Sequence, residues 1–191
     1  MRDICFVTGN QNKIIEVEKL IKNFKIISTK DLNFYDEIPE TENTIKGNAF
    51  IKSSFIYNKF NINCFSDDSG LFINALGGEP GVRSARYASE ISHTEKNINL
   101  VLKNLRGEED RSAAFQTCIC LIINGKISYF EGSVKGIITS KRLGSRGFGY
   151  DPIFIPEGYE RSFAQMSLEE KNKISHRSIA TNKLVNFLNQ K

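Results

Sequence analysis

The sequence lacks the runs and spacings that mark membrane, secreted or zinc-binding proteins. Its 191 residues include no tryptophan, two methionines, two histidines and four prolines. No stretch approaches the roughly 20 apolar residues of a membrane-spanning helix, and the first residues lack the long apolar core of a secretion signal. Four cysteines lie within apolar runs without C-x-x-C spacing, which predicts buried thiols in a cytoplasmic protein. They are Cys5, Cys64, Cys118 and Cys120.

The net charge is also small. The chain carries 26 basic and 22 acidic side chains, a formal charge of +4. Dedicated nucleic-acid binders usually concentrate positive charge on one face, whereas here the basic residues are scattered and do not alternate with aromatics. We therefore expect neither a nucleic acid nor a membrane as partner. A content of 40% hydrophobic and 25% charged residues fits one globular domain over residues 1–191.

The first third of the chain predicts a β-α-β unit. The apolar run Ile4–Val7 indicates a buried strand, a polar turn follows, and a helical pattern comes next. The apolar face of that helix comprises Ile14, Val17, Leu20, Ile21 and Phe24. A second strand over Lys25–Thr29 completes the unit, whose crossover is right-handed in nearly all proteins. An acidic loop, residues 31–43, then leads to a second helix over Thr44–Phe60. Its residues expected to face inward are Ile45, Ala49, Phe50 and Ile56.

The rest of the chain mixes strands and helices. The predicted elements are a strand at Asn63–Ser66, a helix at His93–Leu105, strands at Ala113–Ile123 and Ile127–Thr139, a strand at Ile153–Ile155 and a helix at Ser175–Asn189. The dipeptide Asn124-Gly125 suits the type I′ turn of a β-hairpin. The predicted fold class is α/β, with one large mixed sheet and helices packed against it.

The turn after the first predicted strand is a candidate phosphate site. It reads Thr8, Gly9, Asn10, Gln11, Asn12 and Lys13. Free backbone N–H groups and the positive end of a helix dipole favour phosphate at such a turn, and the lysine adds a charge. The alternative is plain capping of the helix. The turn is not a P-loop, because no G-x-x-x-x-G-K-[ST] run exists in the chain.

Two adjacent carboxylates follow the strand that ends at Ser66. Like charges at Asp67 and Asp68 are costly, and either a divalent cation or a lysine would relieve them. Oxygen ligands of this kind suit Mg²⁺, which binds through one or two carboxylates plus substrate phosphates. Further acids lie in the preceding loop, where a solvated face is the alternative. They are Glu37, Glu40 and Glu42.

A glycine-flanked aromatic loop at 147–152 is the third candidate. Phe148 and Tyr150 offer aromatic faces that can hold a base, although they can equally be core residues. Three polar residues near the start of the last helix, Lys171, His176 and Arg177, suit carbonyl or phosphate oxygens unless they are simply solvated. His93 is expected at the surface, with no role.

Four segments together resemble one known family, the inosine triphosphate pyrophosphatases. They are TGNQNK at 8–13, SDDSGLFINALGGEPGVRSARYA at 66–88, GFGYDPIFIPEGY at 147–159 and SLEEKNKISHRSIA at 167–180. The resemblance implies Mg²⁺-dependent hydrolysis of nonstandard purine nucleoside triphosphates (ITP, dITP, XTP) to the monophosphate and pyrophosphate, which cleanses the nucleotide pool. It also implies a homodimer of elongated subunits, each with two lobes around a central active-site cleft.

The same resemblance implies a role for each matching residue. The phosphate end of the substrate would be held by Thr8, Gly9, Asn10, Gln11, Asn12, Lys13 and Lys52. Glu40 and Asp68 would bind Mg²⁺, and Asp68 would also accept a proton from the attacking water, with Ser69 contacting substrate. The purine would be held and read by Phe148, Gly149, Tyr150, Asp151, Lys171, His176 and Arg177.

The sequence departs from the family pattern at two places. Arg146 stands where many relatives have a small residue or glycine, next to the aromatic loop. Glu42 and Gly47 stand where a glycine and a glutamate are expected, so either Glu40 or Glu42 could face the metal.

The sequence also suggests a chemical basis for selectivity among purine nucleotides. Hypoxanthine and xanthine carry a carbonyl where adenine carries an amino group. Arg177 has only donors, so it would bond to that carbonyl and be left unpaired by adenine. Rejection of GTP is not explained this way. The alternatives are a pyrophosphatase for pyrimidine or modified nucleotides, a catalytically silent nucleotide sensor, and a nucleic-acid binder.

Overall fold

The computed structural model describes residues 2–21, 24–91 and 93–190. Within these ranges the strands are β1 (Arg2–Phe6), β2 (Phe24–Ser28), β3 (Cys64–Ile73), β4 (Pro80–Gly81), β5 (Ser112–Ile123), β6 (Lys126–Ile138) and β7 (Phe154–Pro156). The helices are α1 (Gln11–Glu18), α2 (Ile45–Phe60), α3 (Thr94–Asn104), α4 (Leu168–Ile174) and α5 (His176–Asn189). The predicted mixed α/β class is confirmed. None of the described helices is both long and apolar enough to cross a membrane.

The strands form one mixed sheet in the order β2-β1-β3-β5-β6-β7, with β4 paired to β3. β1 runs parallel to β2 and to β3, and Cys5 lies opposite Cys64. β4 and β7 pair antiparallel with β3 and β6. The turn between β5 and β6 consists of Asn124 and Gly125, with φ of 49° and 75°. Positive φ at both positions is what a type I′ turn requires, so the hairpin prediction is confirmed.

The chain packs as two compact units that are each assembled from separate stretches. The first unit contains Met1–Asp68, Thr117–Gly132 and Arg177–Lys191, and the second contains Ser69–Gln116 and Ser133–His176. Strands β3, β5 and β6 contribute residues to both units. Neither unit is a contiguous segment, and the single domain over residues 1–191 stays a prediction.

The first unit buries apolar residues on both faces of its strands. Neighbouring residues of a strand point to opposite faces, so Phe6 and Phe65 belong to one layer and Cys5 and Cys64 to the other. The two phenylalanine rings stack with centroids 4.5 Å apart. One layer is completed by Ile14, Val17, Ala180 and Leu184 of α1 and α5, and the other by Ala49 and Ile56 of α2. All four cysteines are buried and free, as predicted, and burial raises the pKa of Cys5 to about 12.

The second unit is built around three phenylalanine rings. Phe154 lies 4.7 Å from Phe115 and 5.3 Å from Phe163, measured between ring centroids. Helix α3 contributes Ile98 and Val101, both without exposed surface. His93 caps that helix, because its Nδ1 accepts a hydrogen bond from the backbone of Lys96.

Four details of the sequence prediction are wrong. Phe24 belongs to β2, because α1 ends at Glu18. Phe50 is 37% exposed and does not face the core. β3 continues to Ile73, so Asp67 and Asp68 lie inside a strand and not at its end. Lys171 lies on α4, a separate helix that ends before α5 begins.

Candidate active site

Asp67 lies at the centre of a buried ion-pair cluster in the first unit. Lys13 Nζ donates to Asp67 Oδ1 at 3.0 Å, and Arg177 Nε donates to Oδ2 at 3.0 Å. Arg177 Nη1 also donates to Glu16 Oε2 at 2.5 Å. Burial alone would raise the pKa of Asp67, but Lys13 and Arg177 outweigh it and hold that pKa well below its usual range. Asp67 is therefore a carboxylate held in place by two basic side chains, those of Lys13 and Arg177.

Asp68 has different partners. Asn48 Nδ2 donates to its Oδ2 at 3.3 Å, and Lys52 Nζ lies 3.6 Å from its Oδ1. The same ammonium donates to Glu40 Oε1 at 2.6 Å and to the backbone oxygen of Asp67 at 2.8 Å. Burial raises the pKa of Asp68, and Lys52 only partly opposes that shift. The two adjacent aspartates thus differ, because Asp68 takes up a proton more readily than Asp67.

Glu40 and Asp68 present their oxygens to one ammonium group. Lys52 is within 4 Å of both carboxylates, and the Glu40 side chain keeps 25% of its surface exposed. Glu42 instead contributes its backbone N–H, which donates to Asn48 Oδ1 at 2.9 Å. Within the described residues, no three His, Cys, Asp or Glu side chains form a metal site. Two hard carboxylates that need phosphate or water to complete the shell are a donor set that fits Mg²⁺.

The turn from Thr8 to Lys13 caps α1. Asn10 Oδ1 accepts from Asn12 N at 3.0 Å, and Thr8 Oγ1 accepts from Asn10 N at 3.1 Å. The structure therefore shows the helix capping that is the alternative to phosphate binding at this turn. Gly9 and Gln11 are exposed, and the side chain of Lys13 reaches from this turn to Asp67. Phosphate binding at the turn stays a prediction.

In the second unit, the carboxylate of Asp151 links the aromatic loop at 147–152 to Lys171. Its Oδ2 accepts from Phe148 N at 2.9 Å and from Lys171 Nζ at 2.7 Å. Lys171 Nζ also lies 4.8 Å above the centre of the Phe148 ring, within cation–π distance. A Cβ at Gly147, which has φ of 74°, would lie 2.1 Å from Asp151 Oδ2. Because Gly147 has no side chain, there is room beside it for the Asp151 carboxylate.

The remaining predicted residues of this unit differ in exposure. Tyr150 is 4% exposed, and its hydroxyl donates to the Ser84 carbonyl at 2.9 Å, so it is also a core aromatic. Phe148 is half-buried and offers more ring surface. His176 stacks on the Phe115 ring, with centroids 4.6 Å apart and planes 7° from parallel. Gly149 and Ser69 are both half-buried.

Arg177 does not depend on a purine to balance its charge. Asp67 and Glu16 both accept hydrogen bonds from its guanidinium within the first unit. Asp67 and Glu16 raise its pKa further, although burial opposes this. The expectation that adenine would leave this charge unpaired is therefore wrong, and a direct role of Arg177 at the base stays a prediction.

Sequence reasoning overlooked two buried polar residues here, Glu16 and Asn48. Glu16 lies on α1 between Ile14 and Val17, and both of these neighbours are buried. The sequence did give one indication of a buried role for Glu16, namely a charged residue on the apolar face of a short helix. For Asn48 no local pattern gave an indication, because its partners come from the acidic loop and from β3.

Known proteins resemble this chain over nearly its full length. A family model described as the Ham1 family matches residues 4–187. The dITP/XTP pyrophosphatase of Flavobacterium psychrophilum is 46% identical over 185 residues, which cover 96% of this chain and 97% of that protein. The dITP/XTP pyrophosphatase of Porphyromonas gingivalis is 41% identical and covers 98% of both chains.

Solved structures of similar proteins share the fold. The Ham1 protein of Staphylococcus aureus is 37% identical, with a TM-score of 0.91 and 99% of both chains covered. A HAM1 protein from Coxiella burnetii is 34% identical, with a TM-score of 0.92 and 100% of both chains covered. On the family match and these near full-length similarities, the chain belongs to the Ham1 family.

Proposed function

We propose that this chain hydrolyses nonstandard purine nucleoside triphosphates (ITP, dITP and XTP) to the monophosphate and pyrophosphate. The observation that carries the proposal is the contact of Lys52 with both Glu40 and Asp68, two carboxylates from separate stretches of the chain. Relatives of this chain over nearly its full length are named dITP/XTP pyrophosphatases. Removal of such nucleotides would protect DNA and RNA from misincorporation.

We assign the metal-binding role to Glu40 and Asp68, with Mg²⁺ as the ion. When bound, Mg²⁺ supplies positive charge to the phosphate oxygens. Lys13 and Lys52 add fixed positive charge for the same phosphates. Glu42 is the weaker candidate, because its exposed side chain is not paired with Lys52 as Glu40 is.

Asp68 is the proposed proton acceptor for the attacking water. A general base works best when its pKa lies near the working pH, and burial moves the pKa of Asp68 upward from its usual value. Asp67 is unsuited to this role, because its two oxygens already accept bonds from Lys13 and Arg177. The neighbouring Ser69 would contact the substrate.

Recognition of the purine is assigned to the aromatic loop of the second unit. Phe148 has the half-buried ring on which a base can stack, and Lys171 is held beside that ring by Asp151. Gly149, Tyr150 and His176 complete the proposed set. Homodimer formation and a cytoplasmic location also belong to the proposal, and sedimentation of the purified protein tests the dimer.

The test is pyrophosphate release from ITP, XTP, GTP and ATP, with and without Mg²⁺. We expect rapid release from ITP and XTP that stops when EDTA removes the metal, and slow release from GTP and ATP. Preference for a pyrimidine triphosphate in the same panel would favour the rival pyrophosphatase. Binding of ITP without turnover would favour a nucleotide sensor.

A further inference from the structure

Asn48 joins the acidic loop to Asp68. Its side chain is buried, at 2% exposure, on the first turn of α2. Its Oδ1 accepts from the backbone N–H of Glu42 at 2.9 Å, and its Nδ2 donates to Asp68 Oδ2 at 3.3 Å. One amide therefore links the loop that carries Glu40 to the strand that carries Asp68.

The partners fix the orientation of this amide. A backbone N–H can only donate, so the oxygen of Asn48 has to face Glu42, and its NH₂ group then faces Asp68. A buried polar group that loses its partner cannot be satisfied by water without cost. The amide thus holds Oδ2 of Asp68 and leaves Oδ1 on the side of Lys52.

Lys52 makes a second link of the same kind one helical turn later. Asn48 and Lys52 are four residues apart on α2, so they lie on the same face of the helix. Lys52 bridges Glu40 Oε1 and Asp68 Oδ1, whereas Asn48 bridges Glu42 N and Asp68 Oδ2. A divalent cation held by Glu40 and Asp68 would repel the ammonium of Lys52, whereas the neutral amide of Asn48 would stay in place.

Gly47 allows the loop to approach the helix. A Cβ at this position would lie 2.7 Å from both Cβ and Cγ of Glu42, a distance that real Cβ atoms do not adopt. Its backbone N–H donates to Thr44 Oγ1 at 3.0 Å, which caps α2. The close contact of Glu42 with the helix is what brings its N–H to Asn48.

We propose that Asn48 is a positioning residue that holds the acidic loop and Asp68 together, so that Glu40 and Asp68 Oδ1 face one cation. The proposal rests on the proposed function, because Asp68 and Glu40 are taken as the groups that act on the substrate. Asn48 itself touches neither substrate nor metal in this scheme. Its removal weakens cation binding through the loss of alignment.

The test measures Mn²⁺ binding by electron paramagnetic resonance in the substrate-free protein, and kcat and KM for ITP with Mg²⁺. The variants are Asn48→Ala and Asn48→Ser, and the serine variant serves if the alanine variant does not fold. Asn97→Ala is the matched control. Asn97 is also buried, at 3% exposure, and its amide bonds to backbone groups of Ala88, Ser84 and Ala85 in the second unit.

We expect the Asn48 variants to bind Mn²⁺ at least about tenfold more weakly and to lose at least about tenfold in kcat, with KM for ITP within about threefold of wild type. The Asn97 variant should keep Mn²⁺ affinity while its unfolding midpoint falls. A smaller effect in a folded Asn48 variant, or an equal loss of Mn²⁺ affinity in the control, overturns the proposal. If wild-type protein releases no pyrophosphate from ITP, the proposed function fails, while the Mn²⁺ titration still decides the role of Asn48.

Discussion

Arg177 and Asp67 form a buried ion pair, with Nε 3.0 Å from Oδ2 and side chains only 3% and 1% exposed. The pair joins the first turn of α5 to the middle of β3, across 110 positions of the sequence. Both charges are out of water, and each has a second partner of opposite charge, Lys13 for Asp67 and Glu16 for Arg177. We therefore expect Asp67 to act chiefly on stability, whereas its neighbour Asp68 is the residue proposed to act in catalysis.

Asp67→Asn should destabilise the protein. The substitution leaves the Lys13 and Arg177 cations without the carboxylate that both contact, and breaking a buried pair costs about 3–5 kcal/mol. Urea unfolding at neutral pH measures the loss. Glu90→Gln is the control, because it breaks an exposed pair with Arg83, for which we expect less than about 1 kcal/mol. Equal losses in the two variants would contradict the structural role of Asp67.

Asp68→Asn should abolish turnover and keep ITP binding. Burial already disfavours the charged form of Asp68, so a neutral amide is tolerated and the urea midpoint should not fall. Pyrophosphate release and equilibrium binding of ITP measure the two effects separately. Undiminished release would show that Asp68 is not required.

Arg177→Ala should lower ITP and ATP hydrolysis by the same factor. Arg177 donates to Asp67 and to Glu16, so its loss removes a buried positive charge that both carboxylates contact and destabilises the first unit whichever base is present. The measurement is kcat/KM on both nucleotides, with the urea midpoint recorded alongside. A much larger loss on ITP than on ATP would instead support the bond from Arg177 to the base carbonyl that the sequence suggested.

Gly147→Ala should weaken binding of ITP. Its new Cβ would fall 2.1 Å from Asp151 Oδ2 and push that carboxylate away from Phe148 N and Lys171. We expect KM to rise by at least about tenfold, equivalent to about 1.4 kcal/mol. Gly158→Ala is the matched control, since Gly158 also has positive φ, has open space around it and lies outside the proposed purine-binding set. If both variants raise KM equally, backbone strain alone explains the effect.

Glu170→Gln should remove a pH-dependent part of the stability. Glu170 accepts from Ser167 N and from Arg161, and these bonds lower its pKa to about 2. A lowered folded-state pKa stabilises the protein above the unfolded-state pKa of about 4.3, and the gain is lost as pH falls toward 2. The difference in unfolding free energy between wild type and variant should therefore shrink over this range. A difference that stays constant down to pH 2 would contradict the assignment.

Local sequence patterns were enough to predict the first β-α-β unit and the central hairpin. In β1 and α1 the spacing of apolar residues follows the period of the element itself. At Asn124 and Gly125 the turn chemistry fixes the connection. These features depend on residues close together in the chain, and a single sequence contains that information.

The extent of β3 and the partners of Asp68 depend on distant residues. The polar run from Ser66 to Ser69 resembles the end of a strand. Residues from elsewhere in the first unit satisfy the polar groups of Asp67 and Asp68, which lets the strand continue. They are Lys13, Lys52, Asn48 and Arg177. Similarly, Ser66 is buried next to Ser53, with their hydroxyl oxygens 2.8 Å apart. Hydrogen bonds between residues far apart in the chain produce no periodic pattern in the sequence.

The charges of the acidic and basic side chains around β3 nearly cancel one another. Three cations, Lys13, Lys52 and Arg177, are paired there with four carboxylates, Glu16, Glu40, Asp67 and Asp68. If Glu40 and Asp68 hold Mg²⁺ as proposed, the metal would take the place of the Lys52 ammonium beside them, and that ammonium would then be available to pair with the phosphates of the substrate. A nucleotide without its metal would have to compete with carboxylates for Lys13 and Lys52, so the cluster would favour the metal complex of the substrate over the free nucleotide.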